Sequence, residues 1–360
     1  MPKAKNKKIC IVVSSLGKGG AERSSGLLSQ ILFDVGYDVH VVSVLNDIEF
    51  PYKGKLLNLG ELKDENDTTF GRFKRLRILK AYLKQHNFDY VIDNRTRIGT
   101  LKEYIISQFI YNPKKTIYCV RSYNVDLYIN PNRFLGKLIY SNAYKIVGVS
   151  KLIAQKVKED YGVSNVTSIY NAINFKTEVI TTETTEDYIL FFGRLDDDVK
   201  NISLLLDGYS KSKLPSQNIK LKILGDGKDL VKLISKTKDL YLDASVEFLG
   251  YSPNPSAVVK SALFTVLTSR YEGFPRSIIE SMALETPVIS VDCKSGPNEI
   301  IQNNHNGLLI ENYNSDALAE AMNRLFEDKD LYLHCKQNSK LSVSQFSEEN
   351  IAAQWQSILK

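Results

Sequence analysis

Residues 262–291 read ALFTVLTSRYEGFPRSIIESMALETPVISV. Residues 262–268 form an apolar run of the length of a buried strand, and residues 287–291 form a second such run. Between the two runs a glycine and a proline mark a loop, and apolar residues then recur at helical spacing, with Ser277 as the predicted N-cap. The order strand, loop, helix, strand predicts one unit of a parallel α/β sheet.

Two glutamates of this unit stand where a ligand can be bound. Glu272 lies in the loop, outside the carboxyl end of the predicted strand, which is where open α/β sheets bind ligands. Glu280 follows within the helix, where a carboxylate can accept hydrogen bonds from hydroxyl groups. The alternative interpretation is an ordinary βαβ unit with two solvated acids.

The residues around both glutamates form the frame Glu-Gly-Phe-Pro, Glu-Ser-Met-Ala and Pro-Val-Ile. This frame resembles the Glu-x7-Glu motif of the retaining glycosyltransferases of family 4. The resemblance implies that Glu272 lies beside the donor sugar, that Gly273, Phe274 and Pro275 line the same site, and that Glu280 binds the ribose of the nucleotide. It also implies that no side chain acts as the nucleophile, because the leaving phosphate accepts the proton of the acceptor.

A second candidate site follows the buried run at residues 188–192. Gly193 and Arg194 come directly after this run, and Lys200 precedes a helix predicted to begin near Asn201. Two cations in such a turn can be aimed at one pyrophosphate. The turn resembles the Gly-Arg-Leu and Lys-Asn element of the same family, which implies that Arg194 and Lys200 clamp the diphosphate. The spacing between these two cations is one residue longer than in the commonest form of the family.

Two further positions are expected at the donor site. The apolar run at residues 219–224 ends in Gly225, and the run at 246–251, which contains Phe248, is similar to the segment whose backbone holds the nucleotide base. A UDP-sugar is the expected donor in preference to a GDP-sugar, although these segments do not themselves choose between the two bases. The GDP-sugar stays an alternative, because backbone groups would read the base.

The first buried strand is predicted at residues 8–14, followed by a glycine-rich turn and a helix. At such a turn, Gly19 and Gly20 let a phosphate approach backbone N–H groups at the positive end of the helix dipole. The turn resembles the first loop of family 4 enzymes, although the same glycines suit a tight connection. The full dinucleotide fingerprint is absent, so a nicotinamide site is not predicted.

Two positions depart from the family pattern. Arg121 follows the strand predicted at residues 116–120, where many relatives carry a His near the donor sugar. Three alternatives follow from this departure: Arg121 takes over part of the role of the His, this chain uses a different donor from those relatives, or its catalysis is impaired. Glu285 follows the helix at a position where relatives usually have Gly, so we expect some strain from a positive φ.

The chain has 360 residues, enough for two domains with separate cores. Strands and helices alternate through both halves, which predicts two doubly wound parallel sheets. The resemblance implies the GT-B fold, in which two Rossmann-like domains face each other across a cleft. The predicted divisions are an acceptor-binding domain at 1–177, a nucleotide-sugar-binding domain at 178–345 and a helix at 346–360 that returns to the first domain. Residues 176–187, rich in Thr and Glu, are the predicted linker.

Charge is unevenly distributed along the chain. Residues 1–178 carry 28 Lys and Arg against 16 Asp and Glu, a net charge of +12, whereas residues 179–360 carry 19 against 25, a net charge of −6. The first half is therefore predicted to prefer an anionic partner, either a phosphate-bearing acceptor or an anionic membrane surface. In a helix predicted at 70–84, Phe73 belongs to an apolar face flanked by basic residues, which suits either packing or a membrane surface. No nucleic-acid partner is expected.

Neither a metal centre nor a cofactor is predicted, and the nucleotide sugar is a substrate. The cysteines are scattered along the sequence, so we expect no disulfide framework among Cys10, Cys119, Cys293 and Cys335. The histidines are scattered as well, and we expect each to be a surface or loop residue: His40, His86, His305 and His334. Consecutive aspartates at 196–198 suit a solvated turn better than a metal site. The sequence has no membrane-spanning run and no signal peptide, so the expected location is the cytoplasm. If the basic half contacts a membrane, we expect the protein at the inner face of the plasma membrane.

The predicted function is retaining transfer of a hexosyl or N-acetylhexosaminyl group from a nucleotide sugar to a growing glycan. The expected acceptor is a lipid-linked oligosaccharide, capsule or lipopolysaccharide precursor, and Glu272, Arg194 and Lys200 are the expected catalytic residues. The alternative is a non-catalytic glycosyltransferase-like subunit that binds a glycan or supports a partner enzyme. Intact cationic and acidic motifs favour the enzyme.

Overall fold

The computed structural model describes residues 7–63, 67–175 and 186–360. Residues 176–185 of the predicted linker lie outside the described residues. The chain divides into two compact units, of which the first is Met1–Ala172 with Glu348–Lys360 and the second is Ile173–Ser347. These divisions fall five residues before the predicted boundary at 177 and two residues after the predicted boundary at 345.

The first unit is built on a parallel sheet of seven strands, which are β1 Lys8–Val13, β2 Asp38–Ser43, β3 Lys55–Asn58, β4 Tyr90–Asp93, β5 Thr116–Val120, β6 Lys145–Gly148 and β7 Val166–Ser168. The α-helices between these strands are α1 Gly20–Asp34, α2 Thr69–His86, α3 Thr100–Ile105, α4 Arg133–Tyr140 and α5 Lys151–Tyr161. A π-helical turn, Ile106–Ile110, continues α3.

The strand order in this sheet is β3-β2-β1-β4-β5-β6-β7. Ile11 of β1 pairs in parallel register with Val41 of β2 on one side and with Ile92 of β4 on the other. The winding of the chain therefore changes direction between β1 and β4, and the carboxyl ends of these strands form a topological switch point, where open sheets bind ligands.

The second unit holds a parallel sheet of six strands, which are β8 Tyr188–Phe192, β9 Lys220–Leu224, β10 Val246–Gly250, β11 Thr265–Leu267, β12 Val288–Val291 and β13 Leu308–Ile310. Its helices are α6 Asp197–Lys200, α7 Ile202–Lys211, α8 Leu230–Asp239, α9 Ser256–Ser261, α10 Arg276–Ala283, α11 Pro297–Ile300, α12 Ser315–Glu327 and α13 Lys329–Ser342. The strand order β10-β9-β8-β11-β12-β13 places the switch point between β8 and β11. The two motifs quoted from the sequence follow these two strands.

Each unit has its own apolar core, as expected of strands that are buried on both faces. In the second unit Phe191, Leu205, Ile223, Ile289 and Met322 belong to one buried cluster. The first unit buries the β1 and β4 side chains under α1 and under the last helix, α14 Glu348–Ile358. This helix comes after the second unit in the chain but belongs to the first.

The structure corrects one prediction about a helix start and partly tests another about a helix face. Helix α10 begins at Arg276 with Pro275 at the N-cap, and no side chain caps it. Ser277 therefore lies inside the first turn, because the loop ends at Pro275, two residues before the predicted N-cap. In α2, Leu79 is buried but Phe73 is exposed, so the predicted apolar face packs only in part, and the membrane-surface alternative stays a prediction.

The prediction that every histidine is a dispersed surface or loop residue was also wrong. His40 is fully buried in β2, and its ring lies 4.6 Å from that of His86 in α2. His305 and His334 come together at the surface, with Nδ1 and Nε2 3.1 Å apart. Sequence separation conceals such pairs, because the fold brings elements distant in the chain side by side. Within the ranges that the structure describes, no helix is both long and apolar enough to cross a membrane.

Candidate functional site

Lys200 and Glu272 form an ion pair at the switch point of the second sheet. The Nζ of Lys200 donates to Oε1 of Glu272 at 2.6 Å, and the hydroxyl of Ser269 donates to the same oxygen at 2.7 Å. Only 19% of the lysine side chain and 13% of the glutamate side chain are exposed. The structure thus brings together two predicted site residues that lie far apart in the sequence.

Backbone hydrogen bonds hold the lysine in place. Lys200 is the last residue of the short helix α6, and Asn201 follows in the left-handed conformation before α7 begins. The carbonyl of Lys200 accepts from the hydroxyl of Thr268 at 3.1 Å, and the N–H of Arg270 donates to the carbonyl of Val199 at 2.8 Å. These bonds fasten the end of α6 to the segment that follows β11, so the relative position of Lys200 and Glu272 is set by the backbone.

The loop that carries Glu272 is clamped against residues 294–296. The N–H of Glu272 donates to the carbonyl of Lys294 at 2.9 Å, and the Ser295 hydroxyl donates to the carbonyl of Gly273 at 2.8 Å. Gly296 has a φ of 107°, and a Cβ there would lie 2.5 Å from Cδ of Pro275, so only glycine fits against the loop. The predicted Gly273 and Pro275 are therefore buried parts of a rigid support for the glutamate.

Glu280 lies one turn into α10, where Arg276 holds it. The Nε and Nη2 atoms of Arg276 donate to Oε1 of Glu280 at 3.1 and 2.8 Å, and both side chains are mostly buried. The spacing of four residues puts the two groups on one face of the helix. Arg276 was not among the predicted site residues, although this spacing in the sequence is a signal that could have found it.

Arg194 is placed differently from Lys200. Its side chain is 67% exposed, and Nη2 lies 3.7 Å from Oδ2 of Asp196. The structure therefore brings Lys200 and Glu272 together but leaves the Arg194 guanidinium extended toward solvent. An arginine this exposed can reach a ligand phosphate without first breaking a strong contact.

Gly193 and Gly225 meet at the carboxyl ends of β8 and β9. A Cβ on Gly225 would lie 1.9 Å from the carbonyl oxygen of Gly193, so the two turns can approach only because this residue is glycine. The N–H of Gly225 donates to the carbonyl of Gly250 at 2.7 Å. The requirement for glycine at position 225 thus has a packing cause, and a donor contact there stays a prediction.

The two predicted aromatic residues both pack within the second unit. Phe248 packs against the main core cluster, so its backbone is the part available to a base. Phe274 is buried and lies edge-on to Phe346, with ring centroids 4.9 Å apart. These contacts stabilise the segments on which the predicted donor contacts lie.

The three consecutive aspartates have separate surroundings. Asp197 is buried and accepts hydrogen bonds from the Ser203 hydroxyl and from Nζ of Lys232. Burial alone would raise the pKa of Asp197, but the hydrogen bonds from Lys232 and Ser203 outweigh it and hold the pKa below its usual value.

Asp196 and Asp198 approach Asp229 closely enough to share a cation. The ammonium of Lys228 lies 3.2 Å from Asp196 and 2.7 Å from Asp198. A protein cation thus already neutralises part of this acidic turn. The prediction of a solvated turn was correct for Asp198 but wrong for Asp197, which is buried because Ser203 and Lys232 hold its carboxylate.

A buried thiol lies near the ion pair. Cys293 is 2% exposed, and burial, followed by the charge of Glu272, raises the pKa of this thiol. A thiol kept protonated in this way is unsuited to act as a nucleophile.

In the first unit the predicted glycines lie at the start of α1. Gly19 is the N-cap residue, with no side-chain cap bond, and Gly20 is the first helical residue. Both are exposed. The first backbone N–H groups of this 15-residue helix carry a partial positive charge, and the carboxylate of Glu22 lies close by, since a Cβ on Gly19 would be 2.2 Å from Oε2 of Glu22.

Arg121 follows β5 and contacts Asn171, a residue that was not among the predicted site residues. Its Nη2 donates to Oδ1 of Asn171 at 2.8 Å, and Nε is buried without a hydrogen-bond partner among the described residues. Asn171 belongs to the turn at the end of the first unit. No spacing rule links the two positions, because the contact joins two loops.

Comparisons with known proteins bear on the family and the fold. The family described as glycosyl transferases group 1 matches residues 173–342. The N-acetylgalactosamine-N,N'-diacetylbacillosaminyl-diphospho-undecaprenol 4-alpha-N-acetylgalactosaminyltransferase of Campylobacter jejuni is 28% identical, over 96% of this chain and 97% of its own. The amylovoran biosynthesis glycosyltransferase AmsD of Erwinia amylovora is 26% identical, over 98% of this chain and 99% of its own.

Among solved structures, HepE of Anabaena in complex with UDP-glucose has a TM-score of 0.79. The match covers 98% of this chain and 99% of that chain at 19% identity, so it shows the fold. Two Rossmann-like parallel sheets, the matched family and the relatives along the whole chain lead to one assignment. Residues 173–342 match the glycosyl transferases group 1, and the chain as a whole has the GT-B fold.

Proposed function

We propose that this glycosyltransferase transfers a hexosyl or N-acetylhexosaminyl group from a UDP-sugar, with retention of configuration, to a lipid-linked or surface-polysaccharide precursor. The observation that carries the donor site is the buried Lys200–Glu272 pair at the switch point of the second sheet. UDP is preferred to GDP because a solved structure of the same fold holds UDP-glucose.

The reaction places growing negative charge on a pyrophosphate as the glycosidic bond breaks. Lys200, released in part from Glu272, and Arg194, which extends into solvent, would meet that charge. Glu272 would then accept hydrogen bonds from hydroxyl groups of the donor sugar. We propose that this chemistry is metal-independent, because two protein cations supply the positive charge that a metal ion would otherwise provide.

The nucleotide and the first unit contribute further proposed contacts. Glu280, oriented by Arg276, would bind the ribose. Gly19 and Gly20 would offer backbone N–H groups at the start of α1. Arg121 would offer its guanidinium in the place of the histidine of many relatives, and its buried Nε without a partner supports a ligand contact there.

The proposed acceptor class rests on the relatives. The Campylobacter jejuni relative is named for a diphospho-undecaprenol substrate and an alpha-linked product, and the Erwinia amylovora relative is named for amylovoran biosynthesis. An α-linked product formed from an α-linked nucleotide sugar corresponds to retention. The alternative, a non-catalytic subunit, would have no need of a cationic and acidic set arranged for a pyrophosphate.

A ligand screen on the full-length protein tests the donor first. We expect UDP and UDP-sugars to raise the melting temperature more than GDP and GDP-sugars at equal concentration, because a bound ligand stabilises the native state by mass action. Incubation with the donor that binds and a diphospho-undecaprenol-linked sugar should then give an extended lipid-linked glycan. Binding of a donor without transfer to any glycan would favour the non-catalytic alternative.

A further inference from the structure

An apolar surface of the first unit faces solvent on α3, the π-helical turn and α4. We call it the α3–α4 surface, and its exposed members are Ile98, Leu101, Tyr104, Ile105, Phe109, Phe134 and Leu138. The most exposed are Leu101, at 72%, and Phe134, at 75%. Leu101 and Ile105 lie four residues apart on one helical face, as do Phe134 and Leu138, so the side chains form stripes. Clustered exposed side chains of this size mark an interaction site.

The inward side of α3 is polar, which reverses the usual pattern of a surface helix. Glu103 is buried, and its Oε2 lies 3.2 Å from Nη2 of Arg95, which also donates to Asp93 at 2.7 Å. Burying an ion pair is costly unless both charges are well satisfied. The chain therefore fixes α3 through its charged residue and leaves the apolar residues outside.

Basic residues outnumber acidic residues around this surface. Helix α4 packs against α3 and the π-helical turn, and α2 packs against the same turn. These elements contain nine Lys and Arg, six in α2, one in α3 and two in α4, against a single acid, the buried Glu103. Lys102 and Lys137 stand among the exposed apolar side chains. Among the described residues, the acids in contact with basic groups of this surface are the buried Glu103, 3.6 Å from Lys102, and Asp160 of α5, 3.6 Å from Arg133.

We propose that the α3–α4 surface docks onto an anionic lipid bilayer, with the apolar side chains inserted at the interface and the basic side chains near the phosphates. Interleaved apolar and basic residues are typical of monotopic membrane contacts. A second copy of this chain would bring the same positive charges together, which disfavours a symmetric dimer through this face. The inference extends the proposed function, because it explains how the enzyme would reach an acceptor held in a membrane.

Vesicle flotation of the full-length protein, without nucleotide, tests the proposal. The wild type is expected to bind vesicles that contain phosphatidylglycerol, to bind phosphatidylcholine vesicles less, and to lose affinity as salt is raised. The double variant Leu101→Ser/Phe109→Ser should bind phosphatidylglycerol vesicles about tenfold or more weakly, because it removes two apolar anchors. The matched control, Val231→Ser/Tyr241→Ser, removes two exposed apolar residues of the second unit and should bind as the wild type does.

Three outcomes would overturn the proposal. The first is that the wild type does not bind anionic vesicles. The second is that the Leu101→Ser/Phe109→Ser variant binds them as tightly as the wild type does, at an unchanged melting temperature. The third is that the wild type is a dimer and that this double substitution dissociates it. The test is separate from that of the proposed function. If the Leu101→Ser/Phe109→Ser variant binds vesicles weakly but is still stabilised by UDP, the docking surface stands independently of the donor site. If the wild type binds vesicles but no nucleotide stabilises it, only the donor proposal fails.

Discussion

The ion pair between Lys200 and Glu272 holds two charges where water reaches little of either side chain. A buried charge needs a partner, and each of these groups serves as the partner of the other until a ligand arrives. A donor pyrophosphate would compete with the carboxylate for the lysine, and sugar hydroxyl groups would compete with the lysine for the carboxylate. The pair is therefore preorganised for a ligand that carries both kinds of group.

Replacing Lys200 by Met tests this role. We expect the transfer rate to fall roughly a hundredfold or more, because one preorganised positive charge at the leaving pyrophosphate is lost. Steady-state transfer assays measure the effect. The control is Lys228→Met, which removes an exposed lysine from the neighbouring acidic turn and should leave the rate near that of the wild type.

Stability can separate catalysis from folding at this pair. The double variant Lys200→Met/Glu272→Gln leaves no unpaired buried charge, so its melting temperature should exceed that of Lys200→Met while its activity stays low. Activity near that of the wild type in either variant would contradict the assigned roles.

Glu285 carries backbone strain that the sequence predicted. It follows α10 with a φ of 61°, in the left-handed region, where a non-glycine residue costs about 1–2 kcal/mol. We expect Glu285→Gly to raise the free energy of unfolding by about 1 kcal/mol relative to Glu285→Ala. Both variants lose the exposed contact with Lys340, so the difference between them isolates the backbone effect. Urea unfolding measures it, and equal stabilities would show that the strain is relieved elsewhere.

At the level of elements, the sequence pattern located the strands well because both sheets are parallel and buried. The strand Tyr188–Phe192 has the predicted bounds, whereas the run at 262–268 shortened to Thr265–Leu267. An apolar run shows where burial occurs, but backbone pairing decides where the strand ends. Only three residues of β11 pair with β12, and the polar backbone bonds of the loop begin directly after them.

The candidate site was partly predictable for the same reason. Motif residues that follow strands β8 and β11 had to come close once both strands were parallel neighbours, so Lys200 and Glu272 could be predicted together. The partners of these residues could not be predicted so well. Ser269 and Asn171 act through side-chain directions and loop contacts, which depend on tertiary packing and leave little periodic trace in the sequence, whereas the four-residue spacing of Arg276 and Glu280 was a signal.

A contact between β2 and α2 makes the first unit sensitive to acid. Nδ1 of buried His40 lies 2.6 Å from the Tyr82 hydroxyl, and Nε2 lies 3.4 Å from both Asp38 and Lys55. Burial lowers the pKa of His40 below its ordinary value of 6.5; the charge of Asp38 opposes this shift, and those of Lys55, His86 and Lys8 add to it. The neutral ring is thus favoured by folding. Its stabilisation is complete above pH 6.5 and is lost as the pH falls toward the lowered value.

We therefore expect the melting temperature to fall as the pH is lowered below 6.5, with part of this slope removed in His40→Gln. The measurement is a series of thermal unfolding curves across this range. The matched variant His334→Gln changes a histidine of α13 in the second unit and keeps His40, so its slope should follow the wild type. If His40→Gln keeps the full slope, the acid response belongs to other groups.

For the whole molecule, the path of the chain makes the two units unequal. The second unit is one continuous segment, Ile173–Ser347, whereas the first needs the last helix to complete its core. Ile351, Ala352, Trp355 and Leu359 join the core around β1 and α1, and the Tyr144 hydroxyl donates to the carbonyl of Ile358 at 2.6 Å. A change in the last helix should therefore act on a unit whose strands lie more than a hundred residues earlier in the chain.

Trp355→Ala tests this dependence. The variant should lose about 3–5 kcal/mol of unfolding free energy, because a large side chain that is 4% exposed leaves a cavity in the first unit. The loss should appear in the unfolding transition of that unit alone, which hydrogen exchange of the β1 and β4 amides measures. UDP should still protect the amides of the loop around Glu272, in the second unit, from exchange. Ser357→Ala, on the exposed side of the same helix, is the control and should change neither transition. Equal loss of protection in both sheets would mean that the units unfold together and that the last helix supports the molecule as one cooperative body.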